Sequence, residues 1–199
     1  NSVVSTSTSL NSPEDNETFL AFGRVGKTIK KIKMSLGGSF NYNKNYRFRG
    51  AGGIENIIYN QSYNTSIGTN FTKAPNVSLK YSVSFTNQQD ASLPVDIKSI
   101  VHVPSINFDA YVWDSLTITS DFSFNEVRQG GSVQNSYKIW DAKLAYRKDR
   151  DAKWEYELVG SNLLATGSRA SVSQSNISFN INETFILPRF VSLRVRYQL

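Results

Sequence analysis

The chain has 199 residues, 39 % of them hydrophobic and 13 % aromatic, with a net charge of +6 and no cysteine. That apolar content is enough for one folded domain and argues against intrinsic disorder; the absent cysteines exclude disulfides and thiolate metal sites. No window approaches the roughly 20 consecutive apolar residues of a membrane helix, so any membrane span here is built from strands. The Lys and Arg residues are scattered through strand-like segments instead of forming a run, which argues against nucleic acid as a partner.

The first segment, residues 1–17, is rich in Ser and Thr and reads as an exposed loop. Residues 18–199 read as one strand-rich unit. Phe19 to Val25 is a weak first strand, with a short turn expected around Gly26. Then Ile32, Met34, Leu36, Gly38, Phe40 and Tyr42 alternate with Lys31, Lys33, Ser35, Gly37, Ser39 and Asn41. A strand sends successive side chains to opposite faces, so this segment has one apolar and one polar face. A polar loop is expected from Asn43 to Asn60, a less regular strand from Tyr63 to Phe71, and a short turn from Lys73 to Asn76.

The same alternation returns downstream. Val77, Leu79, Tyr81, Val83 and Phe85 alternate with Ser78, Lys80, Ser82 and Ser84. After a loop from Asn87 to Ser99 comes a strand from Ile106 to Trp113, then a turn to Ser115 and a strand carrying Leu116, Ile118, Phe122 and Phe124 on one face. A loop from Gln129 to Ser136 precedes Trp140, Ala142, Leu144 and Tyr146. A turn from Lys148 to Lys153 leads into Trp154, Tyr156 and Leu158. A last loop, Leu163 to Glu183, is followed by a final strand placed from Phe185 to Leu199. There Val191, Leu193, Val195, Tyr197 and Leu199 alternate with Ser192, Arg194, Arg196 and Gln198.

Two features separate this pattern from an ordinary soluble β protein. Soluble strands average about 5 to 6 residues, whereas strands that cross a bilayer need about 9 to 11, and several of these segments belong to the longer class. In addition, Trp113, Tyr146, Trp154, Tyr156 and Tyr197 gather beside the short turns, as interfacial aromatic girdles do. Short turns on one side and long loops on the other assign the chain end at Leu199 to the periplasmic side. Counting back gives about nine strands, an odd number that leaves a barrel unclosed, because single-chain bacterial barrels have even counts. The expectation is an all-β, transmembrane, antiparallel up-and-down barrel to which this chain supplies the C-terminal strands.

The end of the chain carries a more specific signal. Ser161-Asn162-Leu163-Leu164, a polar loop, Glu183-Thr184-Phe185-Ile186-Leu187-Pro188-Arg189-Phe190 and a terminal alternating strand resemble the TonB-dependent outer-membrane receptors of Bacteroidota. The similarity is closer to their outer membrane protein β-barrel class than to the related SusC-like transporters. It is most specific over about the last forty residues. The resemblance implies a barrel of about 22 strands with an N-terminal plug, located in the outer membrane of a Gram-negative bacterium. It implies import of a bulky nutrient, with no enzymatic activity and no cofactor. Its implied partners are the plug and remaining strands of the same receptor, outer-membrane lipid, TonB and a surface lipoprotein.

Candidate functional residues follow from the faces. Lys31, Lys33, Lys80, Arg194 and Arg196 are expected to face a wet lumen, as a solvated wall or as an attraction for an anionic solute. Val191, Leu193, Val195, Tyr197 and Leu199 are expected to face lipid. No catalytic or metal set is expected: His102 stands alone, near Pro104 at the start of a strand, and Asp109, Asp121, Glu155 and Glu157 read as solvated acids. The competing class is a secreted soluble β-sandwich, such as an adhesin or carbohydrate-binding module, which explains the alternation but not the long strands.

Overall fold

The computed structural model describes residues 15–49, 52–72, 75–113, 115–149, 151–174 and 179–198. Most of the expected N-terminal loop, and Leu199, lie outside these residues. Glu17 already belongs to the first strand.

The described residues form eleven strands and no helix. Eight follow one another as antiparallel neighbours: β1 (Glu17–Ile29), β2 (Ile32–Arg49), β3 (Gly52–Thr69), β4 (Asn76–Asp90), β5 (Ile97–Val112), β6 (Leu116–Gln129), β7 (Ser132–Tyr146) and β8 (Trp154–Ser161). The last strand, β11 (Phe190–Tyr197), pairs with β8 and completes a nine-stranded up-and-down sheet. Between them, β9 (Ser168–Gln174) and β10 (Phe179–Phe185) form a separate two-stranded sheet. The nine-stranded sheet is not closed: β1 and β11 are its edges.

Four local expectations are corrected. The first turn is not at Gly26, which pairs with Ser35 inside β1, but at Lys30 and Lys31, where Lys30 takes a φ of 54°. The polar stretch from Asn43 to Asn60 is not a loop. It continues β2 and β3 as a hairpin paired out to Arg49 and Gly52. Likewise Gln129 pairs with Ser132 across the two-residue turn Gly130-Gly131, whose φ values of 57° and 87° are those a type I′ hairpin turn requires. The physical reason is shared. Backbone ladders need no apolar side chains, so a polar hairpin extends a strand once its register has been set by apolar residues further along. Finally, Phe185 ends β10 and is not part of the last strand, which begins at Phe190.

Register runs obliquely across the sheet. Following direct partners, Thr28 leads to Lys33, Gly68, Ser78, Asn107, Asp121 and Asp141. Thr28 lies beside the end of β1, whereas Asp141 lies well above the corresponding end of β7. Such a steady stagger means the strands tilt relative to the line of turns, the geometry that curls a sheet toward a barrel.

Cross-strand partners share a face, so the register sorts the side chains. One face carries Leu193, Leu158, Leu144, Ile118 and Ala110 in a single row across β11, β8, β7, β6 and β5. The next row up the face continues through Val191, Gly160, Ala142, Ser120, Phe108 and Val77. The opposite face carries most of the Ser and Asn residues together with Lys33, Lys80, Lys143, Glu157, Arg194 and Arg196. Burial is inverted relative to a soluble sheet. On the polar face Asn56, Ile58, Gln88, Asp90, Ser99, Val127, Ala145 and Glu157 are buried, whereas Leu193, Val191, Leu144, Ile106 and Leu79 of the apolar face are exposed. Small Ala110 is the buried exception on the apolar side.

Candidate polar face and its charge network

The last strands place a charge network on the polar face. Arg194 lies directly across from Glu157, and Arg196 from Glu155. Glu157 is 1 % exposed; its Oε2 lies 3.2 Å from Arg196 Nη2, and its Oε1 accepts from Lys143 Nζ at 3.4 Å. Arg196 also reaches Glu155 at 3.9 Å. Alternation builds this cluster: β7, β8 and β11 each present every second residue to one face, and the registers bring Ala145, Glu157 and Arg194 into one row. Below it, Arg147 donates to Ala152 O at 3.0 Å and to Gln198 Oε1 at 2.6 Å, tying the β7–β8 turn to the end of β11.

A carboxylate so enclosed is held by its cations, and removing its charge leaves Lys143 and Arg196 facing one another without it. Glu157→Gln is expected to cost about 1 to 3 kcal/mol, discounted because Arg196 is more than half exposed. Denaturant midpoints of the wild type and of this variant at low and high salt check the value. A loss below about 0.5 kcal/mol at both salt concentrations contradicts a structural role for the carboxylate.

Of the other basic candidates, Lys33 and Lys80 stand on the polar face, opposite Gly68 and Ser66 respectively, while Lys31 lies in the β1–β2 turn, where its carbonyl accepts from Asn70 N at 2.8 Å. The structure therefore divides the five: Arg194 and Arg196 join the Glu157 network, and Lys33 and Lys80 sit near the far edge. Val191, Leu193, Val195 and Tyr197 share the opposite, apolar face and are all exposed.

Aromatic residues line that apolar face at both ends of the strands. At the end with Trp113, Trp154 and Tyr197 are direct partners with ring centroids 4.8 Å apart, and Tyr146 is opposite Tyr156. At the other end Tyr42 and Tyr59 are 5.4 Å apart, Phe19 and Phe40 6.1 Å, and Tyr63 and Phe85 6.3 Å. The sequence reading found the first band and missed the second. Tyr59 belongs to a stretch read as loop, and only the β2–β3 register brings it to Tyr42.

His102 is not at a strand start. It lies inside β5 on the apolar face, opposite Val83, with Nδ1 2.7 Å from the Tyr81 hydroxyl. Among the described residues no group of His, Asp and Glu is arranged to hold a metal ion.

The Ser161-Asn162-Leu163-Leu164 motif has a structural task the sequence does not state. Asn162 is 3 % exposed and adopts a φ of 49°. Its Nδ2 donates to Thr166 O at 2.7 Å and Leu187 O at 3.0 Å, its Oδ1 accepts from Thr166 N at 2.9 Å, and its own N–H donates to Asp141 Oδ1 at 2.8 Å. Leu163 N donates to Trp140 O at 2.8 Å and its side chain covers Gly160. Thus one side chain ties the end of β8 to the return segment before β11.

No family model, no curated protein and no solved structure matches the chain.

Proposed function

We propose that this chain is an arc of a transmembrane β-barrel in the outer membrane of a Gram-negative bacterium, within a TonB-dependent receptor that imports a bulky nutrient. The observation that carries the reading is the inverted burial: a continuous exposed apolar face backs onto a charged face whose residues are the more enclosed. In water a contiguous exposed apolar face is a liability; in a bilayer it is the required surface. Three further features support it. Seven of the nine sheet strands, of 13 to 18 residues, exceed what a soluble sheet needs and suffice for a tilted crossing plus an extension. Aromatics bound the apolar band at both ends, and the stagger matches barrel tilt. The transport role rests on the resemblance of the last forty residues.

The two open edges bear on the partner. Unpaired backbone groups do not persist in hydrocarbon, so β1 and β11 pair with strands supplied by the rest of the receptor. Fractionation tests the assignment. The chain is expected to stay with outer-membrane pellets through high-salt and alkaline washes and to leave them only in detergent. Release into buffer points instead to a soluble sandwich whose second sheet covers the apolar face.

A further inference from the structure

A second basic cluster lies on the polar face, near the β1 edge and away from Glu157. Arg24 Nη2 approaches Ser35 Oγ at 3.5 Å, the Ser35 and Ser66 hydroxyls lie 2.8 Å apart, and Lys80 is the direct cross-strand partner of Ser66. These residues form one line across β1, β2, β3 and β4, with a cation at each end and hydroxyls between. The floor is bare backbone. Gly37 is opposite Arg24, and a Cβ there would come within 3.5 Å of Arg24 Cγ and 3.4 Å of Gly23 O. The absent side chain lets the arginine stem lie flat over the groove, which has a volume of about 350 Å³.

No carboxylate lines this groove, and among the described residues none pairs with Arg24 or Lys80. That is the contrast with Arg196, whose charge is neutralised within the fold by Glu157 and Glu155. A fork of N–H donors, a point cation and rotatable hydroxyls converging on an exposed floor is the donor set that an oxyanion accepts from. We infer that the groove binds the oxyanion group (phosphate, sulfate or carboxylate) of a solute at the polar face. Arg24 is the principal donor, Lys80 the opposing cation, and Ser35 and Ser66 orient the group between them.

The inference rests on the polar face being the wet interior of the barrel. Its test is independent of the membrane assignment. Calorimetric titration of the intact protein that carries this chain, purified in detergent with its partner strands, uses inorganic phosphate, sulfate and acetate in turn at constant ionic strength. The expected result is saturable binding of at least one anion, the tightest identifying the oxyanion class. Arg24→Gln and Lys80→Gln each weaken it about tenfold, by loss of a charge-assisted contact. Gly37→Ser, which keeps every charge but props up the Arg24 stem, weakens it as well. Lys27→Gln removes the same charge from the same strand on the opposite face, where Lys27 partners Met34, and leaves binding unchanged. Absence of saturable binding to all three anions overturns the inference. So does an equal loss in Lys27→Gln, which reports screening alone, or undiminished binding in Arg24→Gln and Lys80→Gln. If the titration fails while lipid contact of the apolar face is demonstrated, the groove is refuted and the barrel stands.

Discussion

Leu193→Arg is expected to destabilise the protein in phospholipid vesicles by about 2 to 4 kcal/mol, read as a shift of the denaturant midpoint. Leu193 lies in the middle of β11, 69 % exposed, in a row with Leu158, Leu144, Ile118 and Ala110. In water that position is an exposed surface residue, where substitution changes stability by less than about 0.5 kcal/mol. In hydrocarbon the guanidinium must snorkel or drag in water. The medium alone therefore decides the size of the effect. Ser105→Arg, on the polar face between Lys80 and Ser123, is the control and costs less than about 1 kcal/mol. Equal effects at the two positions contradict the assignment of faces.

Asn162→Ala is expected to cost about 3 kcal/mol. The carbonyls of Thr166 and Leu187 lose their buried donor and the Thr166 N–H loses its acceptor; each orphaned group costs about 1 kcal/mol or more. The left-handed φ of 49° adds a penalty for alanine that asparagine largely escapes. Asn162→Gly relieves the backbone but not the hydrogen bonds, so it recovers only about 1 kcal/mol of the loss. Asn162→Asp keeps the acceptor, loses both donors and sets a second carboxylate beside Asp141, so it ranks with alanine. Hydrogen exchange of the segment between β8 and β11 provides the local readout. If protection there is unchanged in Asn162→Ala, Asn162 does not tie down the return segment.

The parts of the fold legible in the sequence are those where side-chain pattern and backbone period report the same thing. Over much of β2, β4, β6, β7 and β11 an apolar residue recurs at every second position, and counting these segments with the less regular ones between them gives the number of strands in the main sheet. Legibility fails where pairing is independent of side-chain polarity. Asn43, Asn45, Asn56 and Asn60 look like loop residues, yet Asn45 pairs with Asn56 and Asn41 with Asn60, because the ladder bonds are backbone bonds. Turn position fails for a related reason. Gly26 is conformationally free but is not needed for a turn, whereas Lys30 accepts a positive φ because the register of the flanking apolar residues puts it there.

The candidate sites divide in the same way. Arg194 and Arg196 were visible as one polar face, but their partner Glu157 emerges only from the β8–β11 register. Arg24 gave no signal, since β1 is apolar on both sides, with Leu20 and Phe22 sharing the face of Arg24. Its proximity to Ser35, Ser66 and Lys80 is long-range geometry that alternation within one strand does not encode. The role of Asn162 was hidden for the same reason: a motif names residues, and the carbonyls it holds come from distant positions.

Site-directed spin labels at Val191, Ser192, Leu193, Arg194 and Val195, one at a time, report which face of β11 meets lipid. In membrane-reconstituted protein, collision with lipid-dissolved oxygen and with a water-soluble nickel chelate is compared at each position. A period of two is expected: oxygen dominates at 191, 193 and 195, and the chelate dominates at 192 and 194, with oxygen access peaking near Leu193. A flat profile, or nickel access at 193 equal to that at 194, contradicts a lipid-facing sheet.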